Sequence, residues 1–244
     1  MLADHPLLSK LARAMVLSED EIIAIRAVPV QSAQVKADQI ISREGDKPSR
    51  SFLLSEGVTC TSKVVAGGKR QIMALHILGD VPDMHTLHLK LLDSDIWAIT
   101  DCQLDYMPHA DLRRLNLAHP RLGEDLWRAT LVDGSIHREW VVNVGQREAP
   151  SRMAHLFCEI MVRSKQAGLA QDGTCPFPVT QADLSEMTGL SPVHVNRTLQ
   201  ALRGQGLISF GQGRLTIHDW DGLVELGDFR DDYLHLPEPV DPMA

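Results

Sequence analysis

Residues 190–208 read LSPVHVNRTLQALRGQGLI. Ser191 followed by Pro192 marks a helix start: a hydroxyl N-cap, then a proline where its missing N–H costs nothing. Val195, Leu199 and Leu202 recur at helical spacing toward a core, while Val193, Asn196 and Arg197 share another face. Upstream, TQADLSEMTGL (180–190) reads as a short helix with Thr180 as N-cap and Gly189 as the turn. PSRMAHLFCEIMVRSKQAGL (150–169) reads as an amphipathic helix before both. Downstream, ISFGQGRLTIHD (208–219) gives two β-prone runs around Gly211 and Gly213, a small hairpin. Helix, helix, tight turn, helix and hairpin together predict a winged helix-turn-helix.

In such a motif the third helix lies in the major groove and its first residues reach base edges. Arg197 can bond guanine O6 and N7 in bidentate fashion, Asn196 can reach an adenine edge or a phosphate, and Val193 can pack on a thymine methyl. Thr180, Gln181, Ser191 and His194, with Gln212 and Arg214 of the hairpin, are candidates for the phosphate backbone, where contacts set register. The plain alternative is an exposed arginine that is merely solvated. The chain as a whole has a formal net charge of −8, the wrong sign for DNA. Local charge is what phosphates respond to, however. Between Val193 and Arg214 the charged residues are Arg197, Arg203 and Arg214, with no carboxylate among them. The acid collects beyond, in DWDGLVELGDFRDD (219–232).

Toward the N-terminus the pattern changes. Leu7, Leu8 and Leu11 share a helical face, and Ser18-Glu19-Asp20-Glu21 is a capping box opening a second helix. From about Val28 to Met107 short β-prone runs (FLLSEGV, VTCTSKVV, QIMALHIL, IWAIT) alternate with glycine turns, and Gly67-Gly68 signals a hairpin. These predict an antiparallel barrel or jelly roll. Then Leu122, Leu126, Ala129, Asp133, Ile136, Trp140 and Asn143 step by four and three alternately, the rhythm of a coiled-coil seam. The polar Asp133 and Asn143 would fix its register. A dimer seam is expected; the alternative is an amphipathic helix packed on its own barrel. Around Gly145 and Pro150 the rhythm breaks, a hinge. The expected fold is α+β: a β-roll with N-terminal helices over 1–118, a long dimerisation helix and hinge over 119–147, and a winged helix-turn-helix with a tail over 148–244.

The segment TQADLSEMTGLSPVHVNRTLQALRGQGLI resembles the recognition segment of the Crp/Fnr family of bacterial transcription regulators. In the N-terminal half, ISREGDKPSRSFLLSEG and HILGDVPDMHTLHL are similar to that family's glycine-aspartate turns. The resemblance covers essentially the whole chain. It implies a sequence-specific, homodimeric transcription regulator on a near-palindromic operator, with double-stranded DNA, a second copy and RNA polymerase as partners. Arg197 matches the family's guanine-reading arginine. Val193 stands where many members carry a glutamate, which departs from the usual operator reading.

By the same resemblance, cyclic AMP would need an arginine against its phosphate, since a buried anion requires a paired cation. GDVPDMHTLHLKLLDSDIWAIT (79–100) contains no arginine; Lys90 stands among Asp80, Asp83, Asp93 and Asp95. Control by cyclic AMP is therefore not expected. An iron–sulfur cluster is not expected either: Cys60, Cys102, Cys158 and Cys175 are scattered, with none near the N-terminus and no CxxC pair. A haem-dependent sensor is an alternative, because His85 resembles a haem-ligating position while Asp83 replaces the accompanying cysteine. His76, Asp83, His85 and His88 are the corresponding metal alternative. The cofactor expectation is none. Cys102 and Cys158 lie in apolar runs that suggest inert burial.

No GxSxG, P-loop or HExxH motif appears, so an enzyme is not expected. A rival of another class is a β-roll regulatory subunit with no DNA role, which leaves the Arg197 face unexplained. No long apolar run or secretory signal appears, and a cytoplasmic location is expected, with no membrane partner.

Overall fold

The structure, a computed structural model, describes residues 5–14 and 16–236. The end of the tail, 237–244, lies outside the described residues. Two N-terminal helices, α1 (Pro6–Ala14) and α2 (Glu19–Arg26), precede seven strands: β1 (Gln31–Val35), β2 (Ile40–Ser42), β3 (Arg50–Glu56), β4 (Thr59–Val64), β5 (Arg70–His76), β6 (Asp95–Ala98) and β7 (Cys102–Pro108). The Ser18 box forms as expected, with Ser18 Oγ accepting from Glu21 N and Glu21 Oε2 accepting from Ser18 N. The sheets have the orders β1-β7-β3 and β2-β6-β4-β5. β3 runs antiparallel to β7, with Phe52 opposite Tyr106 and Leu54 opposite Leu104.

Side chains alternate along β3 and so serve two cores. Phe52 and Leu54 pack with Leu92, Ile96, Ala98, Cys102 and Leu104. Leu53 faces the other way, into a cluster with Leu7, Leu8, Leu11, Ile25, Met107 and Leu112 from the helices and β7. The β3–β4 turn depends on Gly57: its φ is +92°, and a Cβ there would lie 2.5 Å from the Asp101 carbonyl. The Gly67-Gly68 hairpin forms between β4 and β5, with both glycines at positive φ.

Contacts divide the described chain into two compact units, one through Thr59, His76–Ser135 and from Leu234, the other Cys60–Leu75 and Ile136–Tyr233. Two helices follow the strands, α3 (His109–Ala118) and α4 (Pro120–Gln146). The sequence patterns did not reveal α3. The break at His119 precedes Pro120, and a residue before proline disfavours helical backbone.

Most side chains of the expected coiled-coil seam pack within their own chain. Leu122 and Leu126 are buried in the core of the first unit, with Leu8, Leu87 and Leu115. Ile136, Trp140 and Asn143 are buried as well. Trp140 Nε1 donates to the Glu159 carboxylate at 3.0 and 3.1 Å, and Asn143 Nδ2 donates to the Arg152 carbonyl at 3.2 Å. Ala129 and Asp133 are half-buried. This face of α4 is thus occupied by its own chain. A second four-and-three ladder, displaced by five residues and so by about 140° around the helix, carries Trp127, Leu131, Gly134, Arg138, Val141 and Gly145. Trp127, Leu131, Val141 and the neighbouring Val142 are exposed.

The second unit continues with α5 (Ala149–Gln166), β8 (Thr174–Pro176), α6 (Gln181–Thr188), α7 (Pro192–Gly204), β9 (Ile208–Gly211), β10 (Arg214–Ile217) and α8 (Trp220–Gly227). Glu148 is the N-cap of α5 and Pro150 sits in its first turn. The stretch read as an acidic tail forms α8, with Asp219 Oδ1 accepting from Gly222 N, and Leu223, Phe229 and Leu234 are buried.

Candidate nucleic-acid interface

Local chemistry builds the helix pair. At the start of α6, Thr180 Oγ1 accepts from Asp183 N at 3.1 Å while Asp183 Oδ2 accepts from Thr180 N at 2.8 Å, a reciprocal capping box. The helix stops at Gly189, whose φ of +65° suits glycine. A Cβ there would also stand 3.3 Å from Val144 Cγ1. Ser191 caps α7 by accepting from His194 N, and Pro192 opens it. Val195, Leu199 and Leu202 are fully buried, as the spacing predicts, and Thr198 joins them.

The opposite face stays free of the core. Val193 is 70% exposed, an apolar side chain held in water at the start of a helix. His194, Asn196 and Arg197 are exposed beside it, as are Thr180, Gln181 and Ser191. Asn196 Nδ2 donates to Gln181 Oε1 at 3.3 Å, so the two helices are tied at the surface. The hairpin is a three-stranded sheet in the order β8-β10-β9, with Leu215 opposite Phe210 and Cys175. The β8 strand went unseen in the sequence because three residues carry no periodicity. At the tip, Gln212 and Gly213 both have positive φ, the requirement of a two-residue type I′ turn. Gln212 and Arg214 are exposed there. Arg203 is not a surface charge of the same kind: its Nη2 donates to the Phe210 carbonyl, tying α7 to the wing.

Behind this face lies a polar hub. Glu159, fully buried, accepts from Trp140 Nε1, from Arg163 Nη1 at 3.2 Å and from Tyr233 OH at 2.9 Å. Tyr233 OH also lies 3.2 Å from His155 Nε2. Burial, reinforced by Arg147, pushes His155 down to about 4, so its ring is neutral near pH 7. Burial and the nearby Glu159 push the Tyr233 hydroxyl upward, keeping it protonated.

Residues 151–226 match the Crp-like helix-turn-helix domain. Across the chain, 197 residues are 24% identical to the transcriptional activator protein FnrL of Cereibacter sphaeroides, covering 78% of this chain and 77% of that one. The chain thus carries a Crp-like helix-turn-helix domain and is similar over most of its length to transcriptional regulators of the Crp/Fnr family. The nitrogen fixation regulation protein FixK of Bradyrhizobium diazoefficiens is another relative, 26% identical over 182 residues, 74% of this chain and 75% of its own. In fold, the regulator is similar to FixK2 from Bradyrhizobium japonicum, with a TM-score of 0.72 at 23% identity over 82% of this chain and 98% of that one. Its fold is also similar to a CooA mutant from Carboxydothermus hydrogenoformans, with a TM-score of 0.66 at 14% identity over 93% and 98%. The helix-turn-helix is therefore the DNA-binding domain of a transcription regulator.

The side chains bear on the cofactor alternatives. Among the described residues no cluster of three or more His, Cys, Asp or Glu could hold a metal. Asp83 is buried and accepts from Phe52 N at 3.0 Å, so its carboxylate is engaged with β3. His85 and His88 line a cleft of about 220 Å³ with Leu87, Leu126 and Trp127. That is smaller than the roughly 300–1,000 Å³ of drug-sized ligand pockets, which disfavours a haem at this cleft. The four cysteines are buried in β4, β7, α5 and β8, and burial pushes the Cys158 thiol up to about 12, which disfavours a thiolate ligand. Among the described residues no lysine or arginine is buried that could offset an enclosed phosphate. No described helix is long and apolar enough to cross a membrane.

Proposed function

We propose that the chain is a homodimeric, sequence-specific transcription regulator. It binds a near-palindromic operator through Val193, Asn196 and Arg197 on the bases and through Thr180, Gln181, Ser191, His194, Gln212 and Arg214 on the backbone. The observation that carries this reading is the exposed face of α7, where Arg197 stands clear of any carboxylate between Val193 and Arg214. Val193 offers an apolar surface in place of a hydrogen-bonding one, which favours a thymine methyl at its position. The exposed ladder Trp127, Leu131 and Val141 on α4 supports a second copy as partner, since a stripe of this period suits pairing with an identical helix. Two copies related by a two-fold axis then read half-sites about one helical turn apart. RNA polymerase is the further partner.

Regulation is independent of cyclic AMP and of an iron–sulfur cluster. The scarcity of buried cations and the scattered, buried thiols support this. The protein acts in the cytoplasm and catalyses no reaction. The test is to select DNA from random sequence with the full chain and to measure binding by fluorescence anisotropy without added ligand. A selected, two-fold symmetric site supports the proposal. Binding that is equal on all sequences would overturn it.

A further inference from the structure

The hairpin of β4 and β5 supplies two side chains that grip the first helix of the DNA-binding motif. Arg70, at the start of β5, places Nε 2.6 Å from Glu186 Oε2 and Nη2 3.4 Å from Asp183 Oδ1. All three side chains are largely shielded from solvent. Next to it, Gln71 Nε2 donates to the Glu186 carbonyl at 2.6 Å. That carbonyl lies in the last turn of α6, where backbone acceptors lack helical partners. Arg152 Nη1 does the same for the Thr188 carbonyl at 2.5 Å. The two hairpin residues thus hold α6 at both ends: Arg70 through the capping box, Gln71 through the last turn.

Two physical consequences follow. Asp183 Oδ2 orients Thr180, and its Oδ1 is the atom that faces Arg70, so the arginine fixes the carboxylate that fixes the helix start. Glu186 and Asp183 are also the acids of the helix that precedes the recognition helix, and two uncompensated carboxylates there repel phosphate. Arg70 offsets both. With the grip closed, Thr180, Gln181, Ser191, Val193, Asn196 and Arg197 are all exposed. The contact is compatible with DNA and does not cover the face that binds it.

We propose that Arg70 and Gln71 are positioning residues for operator binding, holding α6 and its turn in the DNA-reading arrangement from a hairpin more than a hundred residues away in sequence. This rests on the DNA-reading role of α7 proposed above. The experiment uses the full chain with Arg70→Met, Glu186→Gln, the double variant and Arg70→Lys, read by anisotropy on the selected operator and on random DNA. Each single variant is expected to weaken operator binding roughly tenfold. The double variant should lose no more than the worse single one, and Arg70→Lys should recover part of the loss. Circular dichroism identifies any variant that fails to fold, and the Lys variant keeps the charge if Met does not fold. Unchanged affinity in Arg70→Met, additive losses, or tighter binding (an inhibitory latch) would each overturn the proposal. Arg197→Ala separates the two readings. If it abolishes sequence preference while Arg70→Met leaves binding intact, only the positioning role fails. If the unmodified chain has no preferred site, both fail.

Discussion

At the scale of single residues, Arg197 and Gly189 carry opposite kinds of importance. Arg197 is exposed and makes no contribution to the core, so its truncation should leave folding intact. Arg197→Ala is expected to cost about 1–3 kcal/mol on the selected site and much less on random DNA. Equal losses on both would mean that Arg197 meets only phosphate. Gly189 acts through the backbone: at φ +65°, with Val144 3.3 Å from any added Cβ, Gly189→Ala should destabilise the chain by about 1–2 kcal/mol. Urea unfolding checks this. Asp83 makes a prediction in pH. Burial pushes its carboxyl up to about 7 from an ordinary 3.8, with the Phe52 N–H only partly opposing this. Tyr106 and His109 lie near it, and His109 is itself pushed down by burial. Between the two values the folded chain keeps a proton that the unfolded chain has released, so stability falls as pH rises from about 4 to about 7. Asp83→Asn, which keeps an acceptor for Phe52 N, should gain on the parent by up to about 1.4 kcal/mol per pH unit across that window. A constant difference in urea stability between pH 4.5 and 7.5 would contradict it.

Among elements, the joint between α4 and α5 is held by charge buried inside the second unit. Glu159 from α5 collects donors from α4, from its own helix and from Tyr233 beyond α8. An isolated buried carboxylate is costly, and three donors offset much of that cost. Trp140→Phe keeps an aromatic ring, though a smaller one, and removes one donor. It is expected to destabilise the chain by about 1–3 kcal/mol, measured by urea unfolding. The sequence shows residues 122–143 as helical with an apolar face of four-and-three spacing. What covers that face could not be read. A residue buried by its own chain and one that could meet a second copy leave the same mark on the sequence, and α4 carries a buried and an exposed ladder. Likewise DWDGLVELGDFRDD was legible as acidic, yet its apolar Leu223 and Phe229 decide its place by packing.

For the molecule as a whole, dimerisation should depend on the exposed ladder and not on the first one. Leu131→Asp is expected to shift the chain toward monomers in sedimentation velocity and to weaken operator binding, while leaving circular dichroism unchanged. A stable dimer with Leu131→Asp would remove the ladder from the interface. In the same measurement Leu122→Asp should impair folding itself, because Leu122 belongs to the core of the first unit.

The sequence by itself determined the recognition helix, its caps, its turn and the residues that face away from its core. These are local properties, set by hydroxyl caps, a glycine and the period of Val195, Leu199 and Leu202. It also determined the two hairpins with paired turn residues, since turn chemistry is local. Only the tertiary structure decided which face of α4 is free, how Glu159 is satisfied, and that Arg70 reaches Glu186 across 116 residues. Those depend on which surfaces meet after the chain has folded, and no spacing within one segment encodes a partner that lies in another.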